Sequence, residues 1–188
     1  MIEVSRESAE TRIRLRLELR GTGSLEGRTG LPFFDHMLEQ LVFHSGIDLE
    51  VEAEWDLAHH LMEDLLFLLG RAISKGLGDR RGIARFGWSA IPMDESLIMT
   101  SVDLGGRIHF SCDLKGGQVE GLAVDDLMHG IEALARGSLA TIHVVAIRAG
   151  NLHHAVEAAY KSLALSLAQA MGPSPGLRST KGVVDIEG

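Results

Sequence analysis

The 188-residue chain holds a single cysteine, Cys112, one tyrosine, two tryptophans and four prolines. One cysteine excludes an intrachain disulfide and a zinc site built on cysteine. Long hydrophobic runs are also missing. Stretches such as Leu65 to Leu69 are far too short to span a bilayer. The first residues, Met1-Ile2-Glu3-Val4-Ser5-Arg6, lack the basic-then-apolar pattern of a secretory signal. Basic charge is in the minority, with 18 Lys and Arg against 26 Asp and Glu and a net charge of -8. That balance argues against a nucleic-acid protein held by a basic surface, while leaving room for a local arginine pocket that takes a small anion. The expectation is a reduced, cytoplasmic protein with no nucleic-acid and no membrane partner. At 45% hydrophobic and 23% charged residues, the chain is long enough and apolar enough to bury a core.

Histidine is plentiful, with nine in the chain, and four of them fall in two copies of one unit. His59-His60-Leu61-Met62-Glu63 and His153-His154-Ala155-Val156-Glu157 each read His-His-x-x-Glu within an apolar helical pattern. On a helix the glutamate lies four residues from the first histidine and three from the second, so all three project from one side. Adjacent histidines differ in direction by about 100°, which lets a pair reach two different ions. Several imidazoles with one carboxylate suit manganese, iron, zinc, nickel or cobalt better than calcium or magnesium.

Around these units the chain alternates strand and helix patterns. Arg12 to Arg20 places Ile13, Leu15, Leu17 and Leu19 on one face and arginines on the other, a half-buried strand with a solvated face. Phe33 to His44 has helical spacing, and Ile47 to Trp55 alternates again. His59 to Leu77 reads as a very apolar helix. The same plan recurs: strands over Arg85 to Met93, Leu97 to Leu104 and Ile108 to Leu114, a helix over Val124 to Arg136, a strand over Thr141 to Arg148, and a helix from His153 to Met171 with Asn151 as N-cap. A tail follows from Leu177. The chain reads as two half-repeats, 1–84 and 85–188, forming one compact catalytic unit. The predicted class is α+β, with sheets outside and a helix bundle between them.

His36, at an apolar helix start, and His143, mid-strand, are further candidate ligands. His44, His109 and His129 have no repeated motif behind them and read as structural or surface residues. Arg85, Arg107 and Ser179-Thr180-Lys181-Gly182 are candidate anion contacts. Glu7, Glu10, Asp94 and Glu95 are candidate proton carriers.

Taken together, Phe34-Asp35-His36-Met37-Leu38-Glu39-Gln40-Leu41, the two His-His-x-x-Glu units, Arg85-Phe86-Gly87, Pro92-Met93-Asp94-Glu95, Asp103-Leu104-Gly105-Gly106-Arg107, Thr141-Ile142-His143 and Ser179-Thr180-Lys181-Gly182-Val183 resemble, in order, the imidazoleglycerol-phosphate dehydratase family. The resemblance implies an internally duplicated half-domain with two mixed β-sheets flanking a four-helix bundle. It implies a lyase of histidine biosynthesis that dehydrates D-erythro-imidazoleglycerol phosphate to imidazole-acetol phosphate plus water. Two Mn2+ ions per active site would bind the imidazole or imidazolate, and a carboxylate would transfer the proton. The metal ligands would be His36, His59, His60, Glu63, His143, His153, His154 and Glu157, assembled from neighbouring subunits of a 24-subunit homo-oligomer. Glu63 is expected to share an ion with His59, and Glu157 with His153. Arg85, Arg107, Ser179 and Lys181 would hold the substrate phosphate. Glu10 would be the acid–base residue, with Asp94 and Gln40 lining the site.

The chain departs from the family pattern in three places. Leu57-Ala58 stand where two aspartates usually precede the first histidine pair. The loop from Trp55 to His59 is shorter and lacks a histidine often found there. Val145 stands where an arginine usually follows the strand histidine. Acids behind metal-bound imidazoles orient them, so the first His-His unit is expected to be short of orienting acids.

Overall fold

The computed structural model describes residues 1–176. Ser179 and Lys181 lie outside the described residues. The first repeat runs β1 (Ile2–Glu7), β2 (Thr11–Glu18), β3 (Leu25–Glu26), α1 (Pro32–Ser45), β4 (Asp48–Trp55) and α2 (Ala58–Leu77). The second runs β5 (Phe86–Met93), β6 (Ser96–Asp103), β7 (His109–Cys112), β8 (Gln118–Val119), β9 (Leu122–Ala123), α3 (Val124–Ser138), β10 (Thr141–Arg148) and α4 (Leu152–Met171).

The two sheets share one topology. The first has the order β1-β2-β4-β3, and the second β5-β6-β10-β7. In each, the first three strands pair antiparallel and the fourth joins parallel to its neighbour. Only β8 and β9, a small hairpin, have no counterpart among the described residues. The alternation in β2 sets its register. Ile13, Leu15 and Leu17 are buried opposite Ala53, Val51 and Leu49 of β4. On the other face Arg12 pairs with Glu7 and Glu54, Arg14 with Glu3, and Arg16 with Glu50. Exposed pairs of this kind add little each, and the arginines therefore form a solvated face. Strand β1 escapes the sequence pattern because it is an edge strand with only Ile2 and Val4 half-buried.

Local signals place the helix ends. Pro32 opens α1, and Asp35 accepts hydrogen bonds from Thr29 N (2.8 Å) and Thr29 Oγ1 (2.7 Å), fastening the incoming loop to the first turn. Gly46, at φ 71°, closes α1 in the left-handed conformation that glycine adopts at least cost. Asn151 Oδ1 accepts from His153 N at 2.8 Å and caps α4.

Helix α2 packs on the first sheet and α4 on the second. The remaining helices are exchanged: α3 of the second repeat lies against α2, and α1 of the first repeat lies against α4. Glycines permit the α2–α3 approach. A β-carbon at Gly137 would stand 2.1 Å from Phe67 O, and one at Gly70 would stand 2.4 Å from Leu134 O. Tyr160 of α4 is fully buried, and its hydroxyl donates to Leu127 O of α3 at 3.1 Å. This exchange of helices brings histidines from both repeats together.

Candidate metal centres

Helix α2 begins at Ala58, so His59, His60 and Glu63 occupy its first two turns; α4 places His153, His154 and Glu157 the same way. Between α2 and α3, His59, Glu63 and His129 form one group whose ligand atoms all lie within 4.8 Å of one another. Glu63 Oε2 is 3.3 Å from His129 Nε2 and 3.8 Å from His59 Nε2. The two imidazoles stack at 5.5 Å between centroids, 11° from parallel. Between α1 and α4, His36, His153 and Glu157 form the matching group. Glu157 Oε2 is 3.3 Å from His36 Nε2 and 3.4 Å from His153 Nε2.

In both groups the other carboxylate oxygen is held by a cation. Arg136 Nη2 donates to Glu63 Oε1 at 2.6 Å, and Lys161 Nζ lies 2.6 Å from Glu157 Oε1. Burial of Glu157, which is 5% exposed, pushes its carboxyl up, but Lys161 and His36 together hold it below the ordinary value. Burial acts likewise on Glu63, and Arg136 and His129 outweigh it, keeping the carboxyl low. Both shifts favour the ionised carboxylate, and each glutamate turns one oxygen toward two imidazole nitrogens. Paired imidazoles and a carboxylate oxygen form a donor set for a first-row divalent ion.

The second histidine of each unit faces elsewhere. His60 Nε2 is 3.8 Å from Glu10 Oε1 on the β1–β2 turn, and His154 Nε2 is 3.6 Å from Asp94 Oδ2 on the β5–β6 turn. Asp94, Glu95 and His154 form a third group of potential ligands. The turn bearing Glu10 is anchored: Ser8 Oγ accepts from Glu10 N and Thr11 N, and Thr11 Oγ1 donates to buried Asp64 Oδ2 at 2.6 Å. Asp64 also pairs with Arg6 at 2.9 Å.

The remaining expected site residues are dispersed. Arg85 grips Asp103 with two hydrogen bonds, 2.7 and 3.0 Å, and Arg107 approaches the same carboxylate at 3.8 Å. That places both arginines at one end of the second sheet. Gln40 lies on α1 beside Glu39, Phe43 and His44, along a hollow also lined by Gly23 and Leu25.

His143, expected as a ligand, is exposed on β10 with its ring 5.2 Å from His109, and it joins none of the three groups. His129, read from the sequence as structural or surface, joins Glu63 and His59 instead. A sequence signal for it existed. His36 stands nine residues before Ser45, and His129 nine residues before Ser138. Matching the two helix-ending serines lays His129 over His36.

The imidazoleglycerol-phosphate dehydratase family model matches residues 29–167. An imidazoleglycerol-phosphate dehydratase from Chlorobaculum tepidum is 40% identical over 186 residues, covering 96% of each chain. One from Metallosphaera sedula is 42% identical over 188 residues, covering 96% of this chain and 97% of its own. Among solved structures, IGPD from Pyrococcus furiosus in complex with (S)-C348 superposes with a TM-score of 0.86 at 37% identity, over 96% of this chain and 100% of that one. The enzyme from Staphylococcus aureus gives a TM-score of 0.82 at 28% identity, over 92% of this chain and 99% of that one.

Proposed function

The chain belongs to the imidazoleglycerol-phosphate dehydratase family, and from that membership we propose that it dehydrates D-erythro-imidazoleglycerol phosphate with two divalent ions, manganese by resemblance, held at the α2–α3 and α1–α4 groups. The observation that carries the metal reading is the repeated donor set. Each group offers two imidazole Nε2 atoms and one glutamate oxygen, and each glutamate's second oxygen is already satisfied by a cation. His59, Glu63 and His129 would hold one ion, and His36, Glu157 and His153 the other. His60 and His154 face away from these groups toward Glu10 and Asp94. They would complete the coordination of ions in neighbouring subunits, which fits a large homo-oligomer, 24 subunits by resemblance. Repeats 1–84 and 85–188 then act as one unit, since each ion group draws a helix from both.

The reaction removes a proton from one carbon and hydroxide from its neighbour, and the resulting enol becomes the ketone imidazole-acetol phosphate. No carbonyl acidifies the carbon, so the difficulty lies in the developing negative charge. When bound, the ions would supply Lewis-acid stabilisation of the imidazole ring as its anion, whose electrons help hydroxide leave the ring-bearing carbon; that loss brings the neighbouring C–H into conjugation with the ring and acidifies it. Glu10, exposed on its anchored turn beside His60, carries the proton. Asp94 holds the equivalent place beside His154. Arg85 and Arg107, with Ser179 and Lys181 of the tail, take the substrate phosphate, and Asp103 holds the Arg85 fork in place until the anion arrives. Phosphate held away from the reacting carbons fixes the ring against Glu10. His143 and Gln40 belong to neither of the two ion groups within the chain. The test is formation of imidazole-acetol phosphate by purified protein with added manganese. Product at rates well above a chelated control supports the reading; no product from manganese-loaded protein defeats it.

A further inference from the structure

The first His-His unit lacks the acids expected at positions 57 and 58, yet its imidazoles do not lack carboxylate partners. Asp56 Oδ1 lies 2.7 Å from His60 Nδ1, and Asp126 Oδ1 lies 3.1 Å from His59 Nδ1. In the second unit Glu120 Oε1 is 3.4 Å from His153 Nδ1, and Glu95 Oε1 is 3.1 Å from His154 Nδ1. All four contacts are made at Nδ1. In all four histidines Nε2 faces a second carboxylate: Glu63, Glu10, Glu157 or Asp94.

We propose that Asp56, Asp126, Glu120 and Glu95 are positioning residues that hold the four motif histidines in the Nδ1–H form, so that each offers the Nε2 lone pair to an ion. This rests on the metal reading above. An ionised carboxylate can only accept, so each of these contacts favours a hydrogen on Nδ1; the Nδ1 contact is the shorter of the ring's two carboxylate contacts at His59, His60 and His154 and equals the other, at 3.4 Å, at His153. The partner also fixes the plane of the ring and raises the basicity of the ligating nitrogen.

The four acids are not repeat equivalents, and that argues against mere inheritance from the duplication. Asp126 precedes His129 by three residues; three residues before His36 the chain has Phe33, whose ring packs 5.1 Å from the His153 ring. The acid for His153 comes instead from Glu120, between β8 and β9. Asp56 precedes His60 by four residues; four before His154 the chain has Gly150. A β-carbon at Gly150 would stand 2.2 Å from Glu95 Cγ, so the glycine vacates the space that the Glu95 side chain fills. Four different backbone positions deliver a carboxylate to the same ring atom. At the first unit, Asp56 reaches His60 from one residue before the Leu57-Ala58 pair and fills the role of the missing acids.

The test is manganese binding by the full-length protein, followed through the electron paramagnetic resonance signal of free Mn2+. Asp56→Ala and Asp126→Ala are compared with wild type and with Asp79→Ala, which removes the same charge from an acid that pairs with Arg81 and accepts from its backbone N–H. Wild type and Asp79→Ala should each hold two ions per chain with equal affinity. Each of the other two variants should weaken one ion by about 10- to 100-fold. Asp56 is exposed before α2 and Asp126 lies in the first turn of α3, so the two variants test the claim through separate elements. Variants that hold both ions as tightly as wild type overturn the inference alone. A wild-type chain that holds no manganese overturns the metal reading and this inference together.

Discussion

Glu157→Gln is expected to empty the α1–α4 group of its ion and to lower turnover on the order of a thousandfold. Glu157 is the only carboxylate among the three donors there, and it is almost fully buried. The amide keeps the side chain's shape but removes the charge that two imidazoles cannot replace. It also leaves Lys161, whose ammonium lies 2.6 Å from Glu157 Oε1, without its counter-charge. A neutral site beside an unbalanced cation repels a divalent ion. Loss of several kcal/mol of Lewis-acid stabilisation corresponds to a factor near a thousand in rate. Metal analysis of desalted protein checks the first half: the content should fall from two ions per chain to one. Two ions retained in the variant would remove Glu157 from the ligand set. The same change at Glu63 should empty the α2–α3 group and leave the other loaded, because the groups use different helices.

Glu10→Gln should give the opposite combination. Turnover should fall by about a hundred- to ten-thousandfold, the usual worth of a positioned proton carrier, while both ions remain. Glu10 sits on a turn that Ser8, Thr11 and Asp64 hold in place, and its side chain is more than half exposed. Its carboxylate stands 3.8 Å from His60 Nε2, too far for a hydrogen bond. The amide cannot take a proton at neutral pH. Single-turnover kinetics with metal content measured on the same samples separates the cases. A fall in metal content alongside the fall in rate would make Glu10 a ligand rather than the proton carrier.

Much of this arrangement is legible in the sequence, and the parts that are not have a common cause. The alternation in β2, the helical stripe of α1 and the two long apolar helices follow from periods of 2 and 3.6 residues, which a single chain displays locally. The repeated His-His-x-x-Glu spacing likewise reports one face of one helix. Edge strand β1 and the short β3, β8 and β9 offer too few residues to show a period. His129 and the acids Asp126 and Glu120 are a different matter. Their placement beside the motif histidines depends on α3 of one repeat lying against α2 of the other, and on a hairpin reaching α4, contacts made by residues distant in sequence. His143, expected as a ligand, stands outside both ion groups of its own chain. It lies in a strand next to the expected motif order, but β10 turns it outward toward His109. Asp56 was hidden by a smaller offset: the acid stands one residue outside the Leu57-Ala58 pair and reaches His60 across four positions.

In the proposed arrangement each ion is held by helices from both repeats, with His129 and His36 in equivalent places. Anomalous diffraction from manganese-loaded crystals tests it most directly. Two peaks per chain are expected, one against His59, Glu63 and His129 and one against His36, Glu157 and His153. A peak against His143 instead of His129, or none between α2 and α3, would contradict it.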